Sequence, residues 1–211
     1  MKDINLILAT TFEGGIGMKN TIPWYIPSDL KKFKEITSNT IDKNKYNAVI
    51  MGKKTYESLP KKTGLLNRLN IVLSRKHNDN NYANVSDIKD KYDNNDNNDN
   101  NDNNDNNDNN DNDNNIIKMN DISRAIEYCN CNYNIETIYI IGGGKIYDYF
   151  INNNYYIYNI YITIMKEYYE TDTYINIKNI FKNFKFVKHD EYNKNKDKYI
   201  SYICINKKSL L

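Results

Sequence analysis

Several things are scarce in this chain of 211 residues. It has three cysteines, an odd and small number, so no disulfide framework holds it together. Cys129 and Cys131 stand too close to read as a zinc pair, and no second cluster accompanies them, so reduced thiols and no metal site are expected. No run approaches the roughly 18 apolar residues that a membrane span needs. Asp3 and Asn5 interrupt the first apolar stretch, and Glu13 and Gly14 follow it, which is not the shape of a secretory leader. These features together point to the cytoplasm and to no membrane partner. There are two histidines, three prolines, one tryptophan and eight glycines. Histidine-based acid–base chemistry therefore has few places to sit, and His77 and His189 fall in a loop and a late strand.

Apolar residues are also fewer than a compact enzyme needs, at 39%, with a mean hydropathy of −0.82. The shortage is local. From Asp93 to Asn115 the chain is only Asp and Asn, and eight of its 27 acidic residues lie there. With no apolar residue to offset the ordering entropy, an insertion at about 92–115 is expected to stay disordered. It lacks the glycine turn and the glutamate of a calcium loop. Lifting its eight negative charges off the formal +2 leaves +10 for the remainder. A basic remainder suits a phosphorylated cofactor, a nucleic acid, or simple solubility. Replacing Asp93–Asn115 by a short Gly/Ser linker should leave turnover and the unfolding midpoint nearly unchanged, because closing a longer loop adds little free energy per residue. A drop of ten-fold or more in turnover would contradict this.

What is present reads as alternating strands and helices. Ile4–Thr10 is an apolar run ending before Gly14-Gly15, a buried strand followed by a flexible loop that Pro23 and Pro27 punctuate. Leu30, Phe33 and Ile36 recur at helical spacing, with Ser28 as candidate cap. Asn47–Met51 is a strand and Gly52 turns it into a short helix, Lys53–Leu59. Asn70–Ser74 is another strand, and one more starts near Ile116. Asp121 caps a helix through Ile122, Ala125 and Ile126. Thr137–Ile141 runs into Gly142-Gly143-Gly144 and a helix over Lys145–Ile151. Tyr156–Ile164, Phe184–His189 and Tyr199–Ile205 alternate as antiparallel strands do. The pattern implies one α/β domain over residues 1–211: a mostly parallel central sheet covered on both faces, with antiparallel strands at its C-terminal end.

Three strand-to-helix or strand-to-loop junctions carry the first chemical signal. A triple glycine before a helix lets backbone approach a pyrophosphate, and the helix N-terminus attracts the anion. Taken singly, Gly142-Gly143-Gly144 could equally be a tight turn. Lys145 does not make it a Walker loop, which wants glycine at Tyr139 and Ser or Thr at Ile146. Lys53, Lys54 and Thr55 follow Gly52, and Arg75 follows Ser74. Each cation singly suits a solvated surface. Together, beyond the carboxyl ends of parallel strands, they favour a phosphate-rich ligand with an extra phosphate on its adenosine ribose.

The most distinctive segment holds the only tryptophan and two of the three prolines, and leads to Asp29 among Ile7, Leu30 and Phe33. A buried Asp29 that merely caps its helix, beside a merely packed Trp24, is the plainer alternative. "IGMKNTIPWYIPSDLKKFK" resembles the substrate loop and first helix of dihydrofolate reductases. "VIMGKKTYESLP", "NRLNIVLSR", "IYIIGGGKIYDYF" and "IYITIMKEYYETDT" are similar to that family's later motifs, in the family's order. The resemblance spans about Ile4 to Ile205 outside the Asp/Asn tract.

The resemblance implies the three-layer sandwich of a monofunctional dihydrofolate reductase, using NADPH to reduce 7,8-dihydrofolate. It implies that Asp29 hydrogen-bonds the 2-amino and N3 side of the pterin, that Thr163 supports Asp29, and that Trp24 positions a water. Ile7, Ile22, Leu30, Phe33, Leu59 and Leu65 would wall the pterin and aminobenzoyl group. Arg68 would take the glutamate tail's α-carboxylate. Ala9, Ile16, Gly17, Ile141 and Tyr147 would line the nicotinamide side. Lys53, Lys54, Thr55, Ser74 and Arg75 would hold phosphates, with Gly142, Gly143, Gly144, Lys145 and Ile146 along the pyrophosphate. A small-molecule substrate, no nucleic acid and a monomer are expected.

Three positions depart from the family pattern: Tyr56 where many members have tryptophan, Asn67 for glycine, and Leu66 for proline. All lie toward the tail end. A fused thymidylate synthase is not expected, since none of Cys129, Cys131 and Cys204 follows a proline. One competing reading is a riboflavin-pathway reductase, which would keep the cofactor junctions but not the Trp24 and Asp29 pairing. The other is a non-catalytic protein built on this fold.

Overall fold

A computed structural model of the chain describes residues 1–75, 116–153, 156–188 and 198–207. The Asp/Asn tract, His77 and His189 lie outside the described residues. An eight-stranded sheet runs in the order β5-β4-β3-β6-β1-β7-β10-β9. Its strands are β1 (Ile4–Thr10), β3 (Tyr46–Gly52), β4 (Arg68–Leu73), β5 (Ile116–Met119), β6 (Ile135–Gly142), β7 (Asn159–Met165), β9 (Phe184–Lys188) and β10 (Tyr199–Asn206). The helices are α1 (Pro27–Ser38), α2 (Lys53–Glu57), α3 (Ile122–Cys131), α4 (Gly144–Asn152) and α5 (Ile177–Asn183). The run from β5 to β7 is wholly parallel. β10 is antiparallel to both β7 and β9.

Side chains alternate along a strand, so each strand of this buried sheet serves two cores. Leu6, Leu8, Ile50, Ile71 and Ile140 face one way, into a cluster with Ala125, Tyr128, Tyr147, Phe150 and Ile180 of α3, α4 and α5. Ile7, Val49, Met51, Val72 and Ile141 face the other way, where Phe33 and Ile36 of α1 pack with Tyr56, Leu59 and Leu65. Helices on both faces make the α/β three-layer sandwich that the sequence pattern implies.

Several local readings change. α1 begins one residue before Ser28: Ile26 is its N-cap and Pro27 its first residue. Proline lacks the N–H that would otherwise go unsatisfied there, and its φ is already helical. Ser28 is left free to share a 2.9 Å hydrogen bond with the Tyr199 hydroxyl instead. Asp121 does cap α3, accepting from Arg124 N at 2.8 Å. α2 stops at Glu57, two residues early, because the residue before Pro60 is driven out of the helical region. The Gly14–Pro27 loop contains a short strand, β2 (Gly15–Gly17), paired with β8 (Thr173–Tyr174). β7 alternates like an antiparallel strand, yet it pairs parallel with β1 and antiparallel only with β10. α5 carries no sequence reading at all, being only seven residues long.

Burial also sets thiol chemistry. Cys129 and Cys204 are enclosed while Cys131 is exposed, and burial pushes both enclosed thiols up to about 12. One thiol per native chain should therefore react quickly with a disulfide reagent at pH 8, and all three after unfolding. The same shifts make stability fall with alkali. Above about pH 9 the unfolded chain loses thiol protons that the folded chain keeps, so each group removes about 1.4 kcal/mol per pH unit up to about 12. Burial raises Tyr139 and Tyr147 as well and acts in the same direction. Urea midpoints measured at pH 7, 9 and 10.5 should be level between the first two and drop at the third.

Candidate active site

All six parallel strands end on one side of the sheet, where the predicted cofactor-side residues at the ends of β3, β4 and β6 collect, whereas Arg68 opens β4 at the other end. Asp29 lies in the first turn of α1, where the helix dipole favours a carboxylate. The interior strand β7 places Thr163 beside Ala9 of β1 and Ser201 of β10. Thr163 is 6% exposed. Its hydroxyl donates to Asp29 Oδ1 at 2.6 Å and lies 3.2 Å from the Ser201 hydroxyl. A chain of three side chains from three elements thus fixes the carboxylate against the sheet. Trp24 is buried with Ile26, Met165 and Tyr199, its ring meeting Tyr169 edge-on at 5.3 Å. Ala9 packs on the same cluster.

Around this carboxylate the apolar residues are unusually open to solvent. Ile22 is 60% and Leu30 48% exposed, while Ile7 is buried and Phe33, Leu59 and Leu65 are half-buried. Phe33, Leu59 and Leu65 share a cluster with Ile7 on the α1 face of the sheet. Apolar surface beside a fixed polar group is what a flat, partly aromatic ligand would cover.

Arg68 stands farther along the same face and is only 5% exposed. Its Nη1 donates to Thr37 Oγ1 at 2.6 Å and its Nε to the Leu66 carbonyl at 3.0 Å, and the Phe33 ring centroid lies 6.0 Å from its guanidinium carbon. Burial lowers its pKa, but a guanidinium stays charged at neutral pH. Asn70 holds the neighbouring loop by exchanging hydrogen bonds of 2.9 and 3.0 Å with the backbone of Leu65.

The glycine cluster sits where β6 meets α4. Gly142 has φ +104°, and a Cβ there would lie 2.7 Å from the Tyr147 ring. Tyr147 is itself pinned, its hydroxyl donating to the Ile7 carbonyl at 2.7 Å. The Gly142–Gly143 peptide bond is cis. A Cβ on Gly143 would lie 3.3 Å from Thr55 Oγ1, so the α2 and α4 junctions adjoin. Gly144 lies against Ile16 and Thr173, and Ile146 approaches Gly52. Bare backbone at the start of a nine-residue helix, with Thr55 beside it, fits a pyrophosphate.

The cations are less uniform than their spacing implies. Lys53 Nζ lies 3.5 Å from Glu57, while Lys54, Arg75 and Lys145 are exposed and Ser74 is half-buried. The Ser74 N–H is used on Met119, so it cannot donate to a ligand as well.

A second layer of contacts was not legible in sequence. Asp172 accepts from Lys19 N at 2.8 Å and donates its own N–H to the Gly17 carbonyl at 2.9 Å. The Lys19 N–H and the Thr173 hydroxyl hold the Asp172 carboxyl below its usual range. This contact fastens the Gly14–Pro27 loop to the β8 segment, over Ile16 and Gly144. Thr37, Ser201 and Tyr199 likewise act only as neighbours of predicted residues, at sequence distances where no local pattern could signal them.

The family model for dihydrofolate reductase matches residues 3–105 and 103–208, most of the chain. The chain belongs to the dihydrofolate reductase family. It is 32% identical over 147 residues to dihydrofolate reductase from Saccharomyces cerevisiae, covering 68% of this chain and 57% of that protein. To dihydrofolate reductase from Aedes albopictus it is 29% identical over 192 residues, 90% of this chain and 87% of that protein. It is 54% identical over 71 residues to bifunctional dihydrofolate reductase-thymidylate synthase 2 from Arabidopsis thaliana, 33% of this chain and 13% of the other. The chain thus spans a little over half of the yeast relative's length and a small part of the plant one. Membership argues against the riboflavin-pathway alternative. Among the described residues, no helix is long and apolar enough to cross a membrane.

Proposed function

We propose that this chain reduces 7,8-dihydrofolate with NADPH, delivering hydride to C6 and a proton to N5 to give tetrahydrofolate. The observation that carries the reading is the Thr163 hydrogen bond to Asp29, next in sequence to the exposed Leu30. That bond fixes the orientation of the carboxylate that a polar ring edge would meet. A pterin offers a matching edge in its 2-amino and N3 groups. When bound, the nicotinamide supplies the hydride, and the protein supplies alignment and electrostatics. Asp29 favours the protonated form of the bound pterin. Water reaching N5 completes the reduction, and Trp24 borders its path. Ile22, Leu30, Phe33, Leu59 and Leu65 hold the ring system by burial, and Arg68 takes the tail's carboxylate. Arg68 is a narrow site, because Thr37 and Leu66 already use two of its donors and fix its plane.

The cofactor's fit rests on the cradle: a side chain at Gly142 would collide with Tyr147, and Gly143 lies open to Thr55. Gly143, Gly144 and Thr55 would receive the pyrophosphate, and Ala9, Ile16, Ile141 and Tyr147 would frame the nicotinamide. Lys54 and Arg75 would meet the ribose phosphate, with Lys53 shared with Glu57. Arg75→Ala should weaken NADPH at least ten-fold while leaving NADH binding within two-fold, since only NADPH carries that phosphate. Equal losses in a fluorescence titration would remove Arg75 from the role.

We also read residues 1–211 as one catalytic domain, because β4 and β5 flank the Asp/Asn tract yet pair directly, Asn70 opposite Ile116. A cytoplasmic monomer is the accompanying reading, supported by three free cysteines. The deciding experiment follows NADPH absorbance with and without dihydrofolate. Consumption that depends on dihydrofolate supports the reading, and its absence with folded protein ends it.

A further inference from the structure

β10 sends two side chains toward the turn of α1 that carries Asp29. Tyr199 and Ser201 are two residues apart, so they leave the strand on the same face. The Tyr199 hydroxyl shares a 2.9 Å hydrogen bond with Ser28. Ser201 lies opposite Thr163 across the antiparallel pair, and the two hydroxyl oxygens are 3.2 Å apart. Both β10 residues are enclosed, Tyr199 at 4% and Ser201 at 2% exposure. Neighbouring residues of α1 are thus held separately, Ser28 by Tyr199 and the Asp29 carboxylate by Thr163 with Ser201 behind it.

Each hydroxyl in this chain has one proton to place. A hydroxyl donates once and accepts through two lone pairs, whereas an ionised carboxylate only accepts. The Thr163 proton is committed to Asp29 Oδ1 at 2.6 Å, so Thr163 meets Ser201 as an acceptor. Ser201 therefore donates to Thr163, and among the described residues its hydroxyl has no other hydrogen-bond partner. Turning the Thr163 proton toward Ser201 would strand the Ser201 proton in a buried place, which is costly. It would also take the Thr163 donor away from Asp29. Hydrogen bonds in series polarise one another, so the Ser201 donor tightens the hold of Thr163 on the carboxylate.

We propose that Ser201 is a positioning residue for the reaction: its proton locks the Thr163 hydroxyl in the direction that donates to Asp29. The inference rests on the dihydrofolate reading, in which that carboxylate meets the pterin edge. Its effect passes through Thr163 and needs no contact with substrate or cofactor. Because Tyr199 anchors Ser28 independently, losing the Ser201 hydroxyl loosens the carboxylate's orientation without releasing the start of α1.

Ser201→Ala, Thr163→Val and the double substitution test this, with hydride transfer followed in the pre-steady state at saturating NADPH and dihydrofolate. Ser201→Ala should slow hydride transfer roughly five-fold, the ordinary worth of one buried hydrogen bond, while NADPH affinity stays within about two-fold. In the Thr163→Val background the same substitution should change the rate by less than about two-fold, because the hydroxyl through which Ser201 acts is already gone. A residue that only fills space would instead lose the same factor in both backgrounds. A slowing below about three-fold in the parent chain, or above about two-fold in the Thr163→Val background, would overturn the role. A matching fall in NADPH affinity would overturn it too, since general loosening would then explain the loss. A folded parent chain that consumes no NADPH with dihydrofolate would count against the dihydrofolate reading itself.

Discussion

Asp29→Asn should fold normally, bind NADPH as the parent does, and lose roughly two to four orders of magnitude in turnover at neutral pH, the range for acid–base assistance. Asparagine nearly matches the shape of aspartate and can still accept the Thr163 hydroxyl now 2.6 Å from Oδ1, so the scaffold is kept. What disappears is the negative charge that stabilises a proton on the bound pterin. The deficit should shrink as pH falls, because solution then supplies substrate that is already protonated. The parent chain should likewise slow as pH rises and the N5 proton becomes scarce. Pre-steady-state rates with deuterated NADPH separate hydride transfer from product release, so the isotope effect on the variant should be fully expressed. Near-normal turnover at pH 7 would make Asp29 a structural residue and leave the proposed mechanism without its centre.

Gly142→Ala is expected to have the second largest effect, for a reason unrelated to charge. Its φ of +104° is one that side-chain-bearing residues rarely adopt, and holding alanine there costs about 1–3 kcal/mol. The added methyl group also meets the Tyr147 ring at 2.7 Å. That ring cannot swing away cheaply, because its hydroxyl is tied to the Ile7 carbonyl and its body is packed in the core. Overpacking of this kind typically costs a further 1–3 kcal/mol, roughly. The urea midpoint should fall accordingly, and NADPH affinity should drop by at least ten-fold as the cradle shifts. Tyr147→Phe separates the two contributions: it removes the tether to Ile7 and should relieve part of the clash without restoring the backbone. An alanine variant as stable as the parent would mean that the turn relaxes, and that its glycine is dispensable.

Much of the scaffold could be read from residues alone, because it depends on short-range patterning. The apolar runs of β1, β3, β4 and β6 are bounded by glycine or a charged turn, so each strand declares itself. The glycines at 142–144 and the helix after them are contiguous, and a phosphate cradle needs only contiguous backbone. The basic residues at the ends of β3 and β4 follow the same logic, since parallel strands place their carboxyl ends together. Asp29 stood out for being a carboxylate among apolar residues beside the only tryptophan. Its role came from the family resemblance and not from that placement.

Tertiary structure decided the rest. The donor to Asp29 comes from residue 163, and nothing local distinguishes Thr163 from other threonines until β7 is placed beside β1 with Ala9 opposite it. Parallel pairing of β7 was hidden because an alternating strand pairs either way, and only the chain's route around the sheet selects one. Ser28 reads as a cap in sequence, but Pro27 takes the first helical position and the hydroxyl turns to Tyr199. β2 and β8 are too short to announce themselves, and they exist because each supplies the other's backbone partners. Arg68 illustrates the division best. The sequence by itself determined only that a guanidinium would precede the strand read from Asn70, whereas its place as the first residue of β4, its burial, its plane and its position between Thr37 and Leu66 follow from packing α1 against the sheet, a contact that no window of neighbouring residues contains.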